Sequence, residues 1–444
     1  MPTVFKKEAR TLPDRASVRM RAGHPARPLR DMPTPSAVVL AAIGALLPMQ
    51  ACGFGSEPSA LREAAVQLVS SPPGEGSEGP SLSPSEDGVL LSWLEPAPGP
   101  EVRRLRMSRY RNDRWSPPVT VAGGDRLLAN WADVPSVREV GGVLVAQWLE
   151  RGPGRGQGYG VRVARSTDGG GTWSDPWTPH EDATPTEHGF VSIVALPGSG
   201  TGLAWLDGRA YAGGADEAGT TGETALRFRT IEADGAHGPE TVLDPRVCDC
   251  CQTDAAVTAR GPVLVFRDRS ADEVRDIGVL RLVGGRWTEG VVHEDGWRIE
   301  GCPVNGPAVA AHGEVVAVTW FTAAGGRPRV EIAFSGDAGA TFGAPIDVDD
   351  GDPVGRVDVA LLDDASAVVS WLERSPGGTG EVRIRRVGSD GGSTASAHVA
   401  LASAERTSGF PRMAPLGTGE VLLAWTGGED RGGVRVARVG VPAW

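Results

Sequence analysis

The chain has 444 residues, 40% of them hydrophobic and 23% charged, a composition that fits a globular protein rather than a disordered one. Its 62 glycines and 35 prolines mark a turn-rich fold, and without a Gly-x-y period they do not describe collagen. A formal charge of −12 argues against a nucleic-acid partner, which needs a surplus of cations to neutralise phosphates.

Residues 37–47 (AVVLAAIGALL) form an apolar run preceded by Arg21, Arg27 and Arg30. The run falls short of the ~20 residues that span a bilayer and has the length of a signal-peptide core. Met49-Gln50-Ala51-Cys52 follows. This arrangement resembles a bacterial lipoprotein signal, which implies lipidation of Cys52, a membrane anchor, and export to the periplasm or cell surface. An ordinary secretory signal with an incidental cysteine is the alternative. Residues 1–51 are therefore read as a signal peptide, with Met20 as an alternative start, and residues 52–61 as a tether. Eight Lys or Arg against three Asp or Glu in residues 1–51 mean that their removal leaves a more acidic protein.

Internal repeats organise residues 62–444. An apolar run ending in an aromatic residue recurs at Trp93, Trp148, Trp205, Phe266, Trp320, Trp371 and Trp425, at intervals of 55, 57, 61, 54, 51 and 54 residues. After each run comes a stretch of period-2 alternation, as at 102–106, 161–165 and 382–385, which fits a half-buried antiparallel strand. A tight turn and a fourth strand follow, and a short strand precedes each aromatic run. No helical period persists. Such units predict an all-β fold, a β-propeller of four-stranded blades, in one domain. Seven blades are expected and six are the runner-up. The last unit has only three strands, so residues 65–69 are expected to complete it and close the ring.

Two turns carry a sharper pattern. Ser166, Asp168, Gly170, Thr172 and Trp173 follow the Asp-box spacing S-x-D-x-G-x-T-W, and Ser335, Asp337, Gly339, Thr341 and Phe342 repeat it with Phe for Trp. On these motifs the chain resembles the sialidase-like, or BNR-repeat, propellers. The resemblance implies that Asp168 and Asp337 staple turns on the face away from the active site. Sialidase activity itself is not expected. The family uses a tyrosine nucleophile placed toward the C-terminus, whereas the tyrosines here are Tyr110, Tyr159 and Tyr211. Its Arg-Ile-Pro motif is also missing, since Arg298-Ile299 is followed by Glu300.

In a propeller, the loops entering the innermost strands share one face with those linking second and third strands. That places Cys248, Cys250 and Cys251 (entering blade four) beside Cys302 (entering blade five) and His188 (entering blade three). Asp207 and Arg209 follow the second strand of blade three, and Arg267, Asp268, Arg269, Arg275 and Asp276 frame the equivalent loop of blade four. Two readings of the cysteines stand side by side. As disulfides, Cys302 bridges to the 248–251 segment and leaves a residual pair that is vicinal or one residue apart. As a metal site, Cys248, Cys251 and Cys302, with Cys250 in the same turn and His188 as a fourth ligand, hold copper or zinc. The arginines either tie blades together through Asp207, Asp268 and Asp276, or clamp an anion or sugar while the aspartates serve as acid–base groups. The expectation is an exported, lipid-anchored propeller binding a soft metal, a small anionic ligand or a glycan at the channel mouth. The alternatives are a glycoside hydrolase or lyase acting on an acidic sugar, and a scaffold for protein partners.

Overall fold

Each of the seven aromatic runs is the second strand of an antiparallel blade. The computed structural model describes residues 65–152, 158–213, 222–417, 419–427, 432–441 and 444; the signal-like run, Cys52 and the tether lie outside them. The second strands, such as Gly88–Pro96, Thr201–Asp207 and Ala367–Arg374, are buried on both faces, because a neighbouring blade covers each side. Trp93, Trp148, Trp205, Phe266, Trp320, Trp371 and Trp425 are all buried there. Seven apolar clusters fill the gaps between blades, so the core is a ring of interfaces.

The indoles show why the run ends in an acid. Trp93 donates its ring N–H to Glu95, Trp148 to Glu150, Trp205 to Asp207 and Trp371 to Glu373, at 2.6–3.3 Å. A buried indole needs an acceptor, and a carboxylate two residues along the same strand face supplies it.

Val66–Val69 pairs antiparallel with Val434–Gly440 and completes the seventh blade, with Val66 opposite Val439 and Leu68 opposite Ala437. The ring therefore has seven blades, not six. Blade two has three named strands, and its outermost one is reduced to a single bridge between Val163 and Trp177. Pro176 and Pro179 flank that bridge and offer no N–H to a longer ladder. Both Asp-boxes form as expected. Asp168 accepts hydrogen bonds from the Ser166 and Thr172 hydroxyls and the Thr172 N–H, and Asp337 repeats the set with Ser335 and Thr341. Trp173 and Phe342 pack under the turns against the adjoining blade.

The innermost strands surround a cavity of about 630 Å³, lined among others by Arg138, Ile193, Asp254, His312, Asp358 and Arg412. Blades two, four and six are each stitched to the next blade by one device. Asp133 accepts the Phe190 N–H (2.8 Å), Asp254 the Val309 N–H (2.9 Å) and Asp358 the Met413 N–H (2.7 Å). Burial pushes the Asp133 carboxyl up to about 7 and that of Asp358 to about 6.

Candidate functional site

The loops entering blades four and five meet as expected, and the cysteines are joined as Cys248–Cys251 and Cys250–Cys302. Their Cα separations of 5.7 and 6.1 Å lie in the ordinary range for bridged pairs. This corrects the expected residual pair. It is neither vicinal nor one residue apart, but closes an i,i+3 turn. The sulfurs of Cys248, Cys250 and Cys251 are close enough to share an ion, so metal binding there requires the reduced state. His188 does not join them; it groups with His180 and Asp182 instead.

The arginines divide into two kinds. Arg209 makes a two-pronged pair with Asp207 (2.7 and 2.6 Å) and reaches Glu240 at 2.8 Å. Arg269 binds Glu273 (2.8 Å) and Asp249 (3.3 Å), and Arg275 binds Glu273 (2.7 Å). Ion pairing is thus the main arrangement, mostly within one loop, with Arg209–Glu240 and Arg269–Asp249 reaching other segments of the same blade. Glu273 takes the place expected of Asp268 and Asp276. Asp268 is half-buried and its carboxyl is pushed up by that burial. Arg267 is different. Fully buried, it donates to the carbonyls of Asn305 (2.8 Å), Arg275 (2.6 Å) and Phe321 (2.6 Å) and lies over the Trp297 ring. It locks blade four to blade five and does not line the open pocket.

The mouth of the channel on this face is filled by the protein itself. Arg356 of blade six lies over the rings of Trp131 and Phe410, at 5.2 and 4.9 Å, and donates to Asn305, Val304 and Arg406. Trp131 belongs to the loop entering blade two, so this stack crosses the channel axis.

The open pocket lies to one side, between blades two, three and four. It has a volume of about 390 Å³ and is lined by Tyr159, Glu187, Phe190, Tyr211, Thr224 and Asp249, among others. Asp249 sits inside the Cys248–Cys251 turn, so the disulfides present it rigidly. It accepts a hydrogen bond from the Tyr211 hydroxyl at 3.0 Å and pairs with Arg269. On the opposite wall Tyr159 stands near Glu187, and burial, then the Asp133 and Glu187 charges, raises its phenol above the ordinary value. Gly189 is required at the pocket floor: a Cβ there would fall 1.9 Å from the Asp133 carboxylate. Phe190 follows in the left-handed region at φ +53°, which turns the chain into the innermost strand. Sequence reasoning singled out neither Tyr159, Tyr211, Glu187 nor Asp249. The legible signal was Asp249 between two cysteines.

Asp207, expected as an acid–base group, is buried behind the pocket with the Trp205 indole and Arg209. Beside it lies a compact group. His188 Nε2 is 3.1 Å from Asp182 Oδ1, His180 Nδ1 is 3.3 Å from the same oxygen, and the two imidazoles stack at 4.0 Å. Burial, then the neighbouring His188, lowers His180 to about 4, while the Thr184 hydroxyl, His188 and Arg209 bring Asp182 down to about 2 against the opposing effect of burial.

No protein-family model matches the chain, and no curated protein matches it. Among solved structures, the BP39L lectin from Burkholderia pseudomallei is similar at a TM-score of 0.57 and 11% identity, covering 84% of this chain and 98% of that one. The NanB sialidase from Streptococcus pneumoniae scores 0.44 at 8% identity, covering 85% and 94%. The GH93 α-L-arabinofuranosidase of Fusarium graminearum also scores 0.44, at 13% identity, covering 85% and 97%. At such identities the likeness is one of fold, and the chain is a seven-bladed β-propeller with four-stranded blades.

Proposed function

We propose that this propeller is an exported carbohydrate-binding protein that holds a neutral sugar in the pocket between Tyr159 and Tyr211. The observation that carries this reading is the lining itself. Two tyrosines offer flat apolar faces with hydroxyl tips, while Glu187, Asp249 and Thr224 offer acceptors for sugar hydroxyls. Arg209 and Arg269 are already paired with carboxylates, so the lining leaves its acids dominant and disfavours an anionic ligand. The likeness to a lectin agrees with the reading. Calorimetric titration with neutral monosaccharides and with sialic acid tests it. Saturable binding of a neutral sugar, weakened at least tenfold by Tyr211→Ala, is expected. Preference for sialic acid, or no binding to any sugar, overturns it.

One observation favours a second reading, a glycoside hydrolase. Asp133 lies behind Gly189 next to the Tyr159 ring, and burial raises its carboxyl to about 7, which is the kind of environment that tunes a general acid. Release of reducing sugar from neutral aryl glycosides, abolished by Glu187→Gln, would distinguish hydrolysis from binding.

A further inference from the structure

The group around His188 is unexplained by the pocket. Four of its nitrogen and oxygen atoms are buried without a hydrogen bond. Both ring nitrogens of His180, Nε2 of His188 and Oδ1 of Asp182 make no hydrogen bond among the described residues. His188 is 1% exposed. A buried polar atom without a hydrogen bond costs about 1–3 kcal/mol, and here three of the four approach one another and Arg209 only as charges converging on Asp182 Oδ1.

The spacing supplies the purpose. Two ligands about 2.0–2.2 Å from one tetrahedral ion lie roughly 3.3 Å apart. The separations from Asp182 Oδ1 are 3.1 Å to His188 Nε2 and 3.3 Å to His180 Nδ1. All three donor atoms fall within 4.8 Å of one another.

The surroundings orient them. Asp182 Oδ2 is held by the Thr184 N–H (3.2 Å) and by its hydroxyl, which turns Oδ1 toward the imidazoles. Gly160 backs His180, since a Cβ there would stand 3.0 Å from Nε2 and crowd the ring. Arg209 lies 3.2 Å from the same Asp182 oxygen, but its charge is matched by Asp207 and Glu240. Asp207 Oδ1, 3.7 Å from His188 Nε2, stands in reach as a further oxygen.

We propose that His180, Asp182 and His188 bind one divalent transition-metal ion of the zinc class. Two imidazoles and a carboxylate suit zinc, cobalt or nickel rather than the hard oxygen-seeking cations. The imidazoles stack nearly parallel at 4.0 Å, so coordination would require them to turn for their lone pairs to meet at one ion beside Asp182 Oδ1. The ion pins residues 180–188 of the loop entering blade three, which carries Glu187 into the pocket. The site is independent of which ligand the pocket takes.

The test uses the full chain, treated with chelator and then titrated with Co²⁺ under non-reducing conditions. The expected result is one cobalt per chain, with visible absorption of nitrogen–oxygen ligation and no intense sulfur-to-cobalt band, displaced by Zn²⁺. His180→Ala and Asp182→Asn should each weaken cobalt binding roughly tenfold or more. Zinc should raise the melting temperature of the wild type and not of Asp182→Asn. Absence of saturable cobalt binding overturns the proposal. So does a sulfur-to-cobalt band, which would move the ion to the cysteines, or affinity unchanged in His180→Ala. Should either variant fail to fold, the wild-type spectrum and stoichiometry decide the matter alone.

Discussion

Gln252 of blade four donates its side-chain amide to the Ala132 carbonyl of blade two at 2.7 Å, although blade three lies between them. Its oxygen accepts the Gly306 N–H of the loop entering blade five at 3.1 Å. The residue directly follows the disulfide-closed turn, so one loop ties three blades and holds Asp249 at the pocket wall. Gln252→Ala would leave two buried backbone groups unpaired, at about 1–3 kcal/mol each. The expected outcome is a lower urea midpoint with an unchanged slope, read by tryptophan fluorescence.

The disulfides give a chemical prediction. Unfolded protein should show no free thiol at the four blade cysteines before reduction, and peptide mapping should join Cys250 to Cys302 and Cys248 to Cys251. Cys302→Ser should cost about 2–5 kcal/mol and free the Cys250 thiol. A map joining Cys302 to Cys248 instead would contradict the structure.

The two Asp-boxes make stability depend on acid. Hydrogen bonds from Thr172 and Ser166 lower Asp168 to about 2, and those from Thr341 and Ser335 lower Asp337 as well. A folded value below the unfolded one means stabilisation that is complete above the unfolded value, near 4, and is lost as pH falls through the folded one. The melting temperature of Asp168→Asn should therefore lie below wild type at pH 7, with the gap closing toward pH 2.

Asp133 carries the opposite sign. Burial raises its folded value to about 7, so the fold binds a proton that the unfolded chain releases near 4. Stability from this group declines as pH rises from about 4 to 7. Asp133→Asn should remove that part of the slope in denaturant titrations across this range, because a neutral amide still offers an oxygen to the Phe190 N–H.

Cys52 gives a prediction about location. If the motif at residues 49–52 directs lipidation, Cys52→Ser should move the protein from the membrane fraction to the soluble one. Membrane association unchanged in that variant would remove the anchor.

The blades were legible because burial on both faces forces an apolar run, and closure of the ring forces it to recur. The same repeats held information that went unused. Trp-Leu-Glu or Trp-Leu-Asp occurs at Trp93, Trp148, Trp205 and Trp371, and the acid two places on serves the indole. Read that way, Asp207 is one of four structural acids rather than a special one. The pocket was less legible because its polar side chains come from separate loops and strands of three blades, with no shared spacing. Tyr159 opens a third strand, Tyr211 follows a second strand, and Asp249 lies in an entering loop. His180 and Asp182 stood only eight and six residues before His188. Their turn brings them together, while blade geometry alone points His188 toward the cysteines.

Ring closure also sets an order of events at the ribosome. Val66–Val69 emerges long before its partner Val434–Gly440, so the strand waits, unpaired, through synthesis of nearly the whole ring. Loop-closure entropy makes such a distant pairing late and slow, and the waiting strand exposes an edge to any other chain nearby. A circular permutant that begins at Glu78 and carries residues 65–69 after Gly440 would turn the longest-range pairing into a local hairpin. It should refold faster than the native order at similar stability, which double-jump refolding experiments would measure.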